Sequence, residues 1–65
     1  MLFDKEIMML YLHVAVYLQG EELPFIKVFY GKKMRDALAK LHEYLGEQGD
    51  KVTHYTVVDV FRYKE

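Results

Sequence analysis

The stretch that decides the fold is residues 10–18, which read LYLHVAVYL. Leucine and valine occupy every even position, whereas tyrosine, histidine and alanine occupy the odd ones. Successive side chains of a β-strand point to opposite faces, so this period of two predicts a strand. We expect the Leu and Val face to be buried and the Tyr and His face to lie opposite.

A second strand is predicted at residues 23–30, after a turn at residues 19–22 that reads QGEE. The two strands should form an antiparallel hairpin. Pro24 lacks an amide hydrogen, which favours an edge strand or a strand start. Large apolar residues occur at both parities of this strand, so the pattern leaves open which face meets the helix.

The period changes to that of a helix in residues 32–45. Apolar side chains recur there at steps of three and four, and they trace one stripe: Met34, Ala37, Leu38, Leu41 and Leu45. Gly46 is predicted to end the helix in a left-handed cap, and residues 49–50 are predicted to turn.

A third strand is predicted at residues 52–63, which are rich in Val, Thr and aromatic residues. Its alternation is imperfect, which indicates either a bulge or burial on both faces. The order β-β-α-β then predicts an α+β fold. Because a crossover through the helix is right-handed, the simplest sheet is three-stranded and antiparallel in the order 2-1-3, with the helix on one face.

The 65 residues are interpreted as a single small domain, with residues 1–7 as a disordered or dispensable lead-in because Met8 or Met9 is an alternative start. There is no cysteine, which excludes disulfides and thiolate metal sites. The apolar run at residues 7–18 is too short to span a bilayer and has no cationic flank, so we expect a cytoplasmic protein without membrane contact.

A composition of 52% hydrophobic and 15% aromatic residues is rich for so short a chain and indicates a partner. One helix can cover one face of the sheet, and the second face should expose more apolar area than a monomer usually does. We expect a homodimer, by sheet stacking or edge pairing; the alternatives are a larger protein or stacked bases. The predicted interface residues are Tyr11, His13, Tyr17, Phe25, Phe29, Tyr55 and Phe61.

Neither catalysis nor a metal or cofactor site is expected. The histidines at positions 13, 42 and 54 lie on different elements, and none is at ligand spacing with another. His13 and His54 become cross-strand neighbours if strand 3 pairs with strand 1. The chain has no serine, and strand alternation argues against His54 activating its neighbour Thr53.

The segment GKKMR, residues 31–35, places Lys32, Lys33 and Arg35 in a first helical turn. Backbone amides at a helix start can bind phosphate, so these cations are the candidate anion or nucleic-acid contact. A solvated surface and a charged rim for a protein partner are the alternatives. The net charge of -1 argues against general nucleic-acid binding.

The leading hypothesis is a small non-catalytic protein-binding module that self-associates through its sheet and acts as an accessory or inhibitory factor on a larger macromolecule. The order hairpin, helix, strand resembles that of small phage-encoded inhibitors of bacterial RNA polymerase, in topology alone and with no shared motif. That resemblance implies a phage or mobile-element type of regulatory protein. The alternative is a nucleic-acid-binding protein that uses Lys27 and the basic helix start together with sheet aromatics.

Overall fold

The computed structural model describes residues 8–64. It contains β1 (Met8–Leu18), β2 (Phe25–Gly31), α1 (Met34–Gln48), a 3₁₀ turn (Gly49–Lys51) and β3 (Val52–Lys64). The strands form one antiparallel sheet in the order β2-β1-β3, so the predicted α+β fold is confirmed. The predicted lead-in at residues 1–7 lies outside the described residues.

The core is built on the even-numbered side chains of β1. Leu10, Leu12, Val14 and Val16 are at most 1% exposed, which confirms the predicted inward face of this strand. The buried side chains that pack with them come from β2 and α1: Phe29, Ala37 and Leu41. The core therefore lies between α1 and the middle of the sheet.

The strand register determines which residues share a face. Leu12 lies opposite Phe29 of β2 and Val60 of β3, so the even face of β1 continues through these residues on the helix side. Its neighbour Tyr11 lies opposite Tyr30 and Phe61, on the other side. We call this second side the open face: Met9, Tyr11, His13, Ala15 and Tyr17 of β1; Ile26, Val28 and Tyr30 of β2; His54, Thr56, Asp59, Phe61 and Tyr63 of β3.

The pairing of β3 with β1 shifts register twice. His13 pairs with Asp59 but Val14 with Val57, so Val58 is an extra residue. A second shift leaves Thr53 unpaired between His54 and Val52. The bulge at Val58 explains the imperfect alternation of this strand, because the residues after it point to the opposite face from residues of the same parity before it. A bulge was one of the two predicted explanations.

The helix begins and ends later than predicted. Gly46 is not the cap: it lies inside α1, and Gly49, with φ 60° and ψ -129°, caps the helix after Gln48. That conformation is open to glycine and strongly disfavoured for other residues. The amide of Gly49 donates a hydrogen bond to the Leu45 carbonyl, which satisfies one of the last carbonyls of the helix.

A tight contact at Gly31 joins β2 to the first turn of α1. Gly31 is buried, and a Cβ at this position would lie 2.6 Å from the Asp36 Cβ and 3.1 Å from the Ala37 nitrogen. Glycine thus allows the end of β2 to approach the helix closely. This contact fixes where α1 starts above the sheet.

The two glycines give opposite predictions for substitution by alanine. Gly31→Ala should lower the free energy of unfolding by about 1–3 kcal/mol, because the added methyl overlaps backbone-anchored atoms. Gly46→Ala should raise it by about 0.5–1 kcal/mol, because Gly46 is helical and nothing lies within 4 Å of its added Cβ. Urea denaturation of the two variants and the wild type measures both; a Gly31→Ala protein as stable as the Gly46→Ala protein would contradict the contact.

Candidate protein-binding surface

Aromatic rings cross the open face from one edge strand to the other. The ring centroid of Tyr11 lies 5.8 Å from that of Tyr30 on β2 and 5.5 Å from that of Tyr63 on β3, edge to face in both cases. Each such pair contributes about 0.5–1.5 kcal/mol beyond the burial of its area. Side-chain contacts therefore reinforce the backbone ladder and hold the rings in defined orientations.

Two histidines belong to the same face. His13 lies 4.8 Å from the ring of Phe61, and His54 stacks on Tyr17 at 4.1 Å and 12°. The predicted adjacency of His13 and His54 is wrong, since His13 pairs with Asp59 and His54 with Tyr17. Among residues 8–64 no group of three or more His, Asp or Glu residues could hold a metal ion.

Thr53 and His54 are in contact, although strand alternation predicts that they point apart. The Thr53 hydroxyl donates to the Tyr17 carbonyl at 3.1 Å and lies 3.1 Å from Nδ1 of His54. The register shift at Thr53 explains the contact. With its hydrogen directed to the carbonyl, the hydroxyl can only accept from the imidazole, so His54 is not placed as a base for Thr53.

The outer parts of the open face remain exposed to solvent. The exposed fractions are 55% for Ile26, 42% for Val28, 49% for Tyr30 and 53% for Tyr63. The set contains no Lys or Arg, and Asp59 is its single carboxylate. A contiguous apolar and aromatic surface of this kind is typical of a site that binds another molecule.

The predicted interface residues fall on two different sides. Four lie together on the open face, namely Tyr11, His13, Tyr17 and Phe61; Phe25, Phe29 and Tyr55 lie on the helix side. Phe29 is 6% exposed and its ring lies 5.6 Å from that of Tyr44, so it belongs to the core and is removed from the interface set. Phe25 and Tyr55 are 39% and 40% exposed.

The helix covers only part of its own side of the sheet. It packs against β2 and β1, and it leaves β3 largely uncovered. Val57 and Val60 of β3 are therefore 41% and 39% exposed although they point to the helix side. The third strand exposes apolar side chains on both of its faces.

The basic helix start lies apart from the open face. Lys32, Lys33 and Arg35 are exposed, and the Asp36 carboxylate accepts a hydrogen bond from the Lys33 amide at 3.2 Å. A carboxylate of the chain thus sits at the helix N-terminus, where a bound anion would otherwise be favoured. Lys27 is on the helix side, with its ammonium 5.0 Å from the ring centroid of Tyr44.

A shallow depression of about 400 Å³ opens between the end of α1 and the start of β3. Its lining consists of Leu45, Gly49, Val52, Thr53, His54 and Tyr55. Thr53 and His54 already contact each other, and the Tyr55 hydroxyl is the remaining polar side-chain group of this lining. The depression offers no further convergent polar groups to orient a small ligand.

Comparison with protein-family models, curated proteins and solved structures gave no match for this chain. Its function is therefore inferred from the residues and their geometry. Within residues 8–64, no helix is long and apolar enough to cross a bilayer.

Lysine substitutions at two positions of β2 should distinguish its two faces. Phe29→Lys should unfold the protein, since losing a buried Phe costs about 3–5 kcal/mol before the burial of a charge is counted. Ile26→Lys should change the free energy of unfolding by less than about 1 kcal/mol, because Ile26 is 55% exposed. Circular dichroism shows whether each variant is folded, and thermal melting measures its stability. Comparable destabilisation by the two substitutions would contradict the assignment of Phe29 and Ile26 to opposite faces.

Proposed function

We propose that the protein is a small, non-catalytic protein-binding module of the cytoplasm, which self-associates through its sheet and acts as an accessory or inhibitory factor on a larger macromolecule. The observation that supports this function is the open face. Buried centres of protein interfaces are rich in Tyr, Phe and other large apolar residues and poor in charge. The open face has this composition.

The ring contacts also favour binding. Rings such as Tyr11 and Tyr17 are already held by neighbouring rings in the free protein. Immobilising a free side chain at an interface costs about 0.5–1.5 kcal/mol, and this cost falls when the side chain is ordered beforehand. A partner would therefore meet a surface that needs little rearrangement.

Self-association is supported by the small core. Only eight hydrophobic side chains of the described residues are buried, and large apolar residues on all three strands are not. Chains of this size commonly obtain the missing stability from a disulfide, a metal or a second subunit. Because the sequence has no cysteine, a second subunit is the route that the exposed sheet fits best.

Nucleic-acid binding is the second candidate, supported by the exposure of Lys32, Lys33 and Arg35. Proteins that stack bases on a sheet combine the aromatic rings with cations that track the phosphates. Lys32, Lys33 and Arg35 lie at the helix start and Lys27 on the helix side, whereas Lys40 of α1 lies 4.2 Å from one open-face ring, that of Tyr30. The separation of the basic helix start from the open-face rings favours a protein partner.

The protein-binding function is tested with three immobilised forms of the chain: wild type, Ile26→Lys/Val28→Lys, and Leu23→Lys as the control. Leu23 is 81% exposed in the loop before β2 and lies outside the open face. We expect nuclease-treated extract of the source cells to yield a protein that wild type and control retain and the double variant loses, as measured by quantitative mass spectrometry. Thermal melting should show all three forms folded.

Identical sets of retained proteins on all three forms would contradict binding by the open face. Binding of DNA or RNA at low salt that is lost in a Lys32→Glu/Lys33→Glu variant would instead support the nucleic-acid function.

A further inference from the structure

We infer that the protein forms a homodimer in which β3 pairs antiparallel with β3 of a second copy, with Thr56 on the two-fold axis. This inference rests on the self-association in the proposed function and assigns it to one edge of the sheet and one register. Three observations carry it: the difference between the two sheet edges, the direction of the backbone groups of β3, and the pairing that the register creates.

The two edges of the sheet differ in how they are protected. β2 has only seven residues, follows Pro24 and lies against α1. The ammonium of Lys40, a residue of α1, lies 4.2 Å from the ring centroid of Tyr30, a residue of β2. Short length, proline and lysine are the features that keep an edge strand from pairing with another chain.

β3 lacks these protections. It has 13 residues and no proline, and no Asp, Glu, Lys or Arg occurs between Val52 and Val58. Every residue from Thr53 to Val60 is exposed, and the helix does not cover this strand. A long, exposed and largely uncharged edge is a template for a further strand.

The hydrogen bond of Val60 indicates which backbone groups point outward. Its amide donates to the Asp59 side chain at 2.8 Å, which directs it to the free edge. Backbone groups of successive strand residues point to alternate sides, and the extra residue Val58 shifts this alternation by one, so Val57 and Tyr55 point outward like Val60. These two residues can exchange hydrogen bonds with a second strand, and the Asp59 carboxylate ends the ladder at Val60.

A two-fold axis at Thr56 makes the strand complementary to itself. Thr56 then faces Thr56 of the second copy, and Val57 faces Tyr55. Val58 is the bulged residue and has no partner on β1. If it is likewise skipped when residues are paired outward from Thr56, Asp59 faces His54 of the second copy. Thr–Thr and aromatic–β-branched cross-strand pairs each contribute roughly 0.2–1 kcal/mol. The Asp59 carboxylate can accept a hydrogen bond from an Nε2–H of the facing His54.

Other registers lose this complementarity. An axis at Val57 places Asp59 opposite Thr56, so the carboxylate meets no histidine of the second copy. An axis at Arg62 places two guanidinium groups opposite each other, which is unfavourable. The register centred on Thr56 is the one that pairs the single acidic side chain of the edge with its single histidine.

Cysteine cross-linking tests this register directly, because the natural chain contains no cysteine. Thr56 would form a non-hydrogen-bonded pair across the axis, with Cα atoms about 4.5 Å apart, within the range of a disulfide. Mild oxidation of Thr56→Cys should therefore convert most of the chain to a covalent dimer on a non-reducing gel. Val28→Cys, on the opposite edge strand, is the matched control and should stay monomeric on the same gel.

A second arm distinguishes edge pairing from stacking of the open faces. An equimolar mixture of Tyr55→Cys and Val57→Cys, one carrying a size tag, should give mainly the mixed disulfide, because the two positions face each other about 5.5 Å apart. Both residues point to the helix side, so a dimer stacked through the open faces would not link them. A Thr56→Cys link without the mixed disulfide would overturn the edge pairing.

Sedimentation velocity of the wild type at micromolar concentration separates the remaining outcomes. A dimer that shows neither cross-link would overturn the β3 register and leave self-association through another surface in place. A monomer would overturn both self-association and this inference. Retention of a larger partner by the open face is measured independently of either result.

Discussion

The rest of the structure depends on one constraint: one helix of 15 residues cannot cover a three-stranded sheet whose longest strand has 13 residues. A helix rises only about 1.5 Å per residue, whereas a strand rises about 3.3 Å, so the helix is much shorter than that strand. The close contact at Gly31 starts the helix over β2, and the stripe centred on Ala37 and Leu41 carries it across β1. Water is thereby excluded from the central even side chains of β1, Leu10 to Val16. The same placement leaves β3 without cover, so the exposed apolar area results from the fold itself.

This constraint links stability to association. A core that is limited to one side of two strands gives a chain of this size only a small margin over its conformational entropy. Any molecule that binds the folded chain and not the unfolded one adds to that margin in proportion to the logarithm of its concentration. Binding at the exposed strand or at the open face, as proposed, would therefore also stabilise the fold.

The sequence predicted those parts of the fold that depend on a local period. Residues 10–18 alternate without interruption, which identified both the central strand and its buried face. The face of Phe29 was not predictable, because the loop at residues 19–24 does not fix the hairpin register and β2 is apolar at both parities. The partners of His13 and His54 depend on the register shift at Val58, and the contact between Thr53 and His54 on the shift at Thr53; no glycine or proline marks either bulge in the sequence. Gly46 and Gly49 both suit a helix end, and only the tertiary position of β3 selects the second.

The face and the edge of the sheet fit together geometrically. A two-fold axis that relates two β3 strands in one sheet is perpendicular to that sheet, so it keeps both open faces on the same side and both helices on the other. The aromatic surface of Tyr11 and its neighbours would then extend across two chains without a break. A partner that contacted both halves would gain affinity from the second contact at a high effective concentration, even if each half bound weakly. Edge pairing would in this way let a chain with a very small core present a binding surface larger than its own sheet.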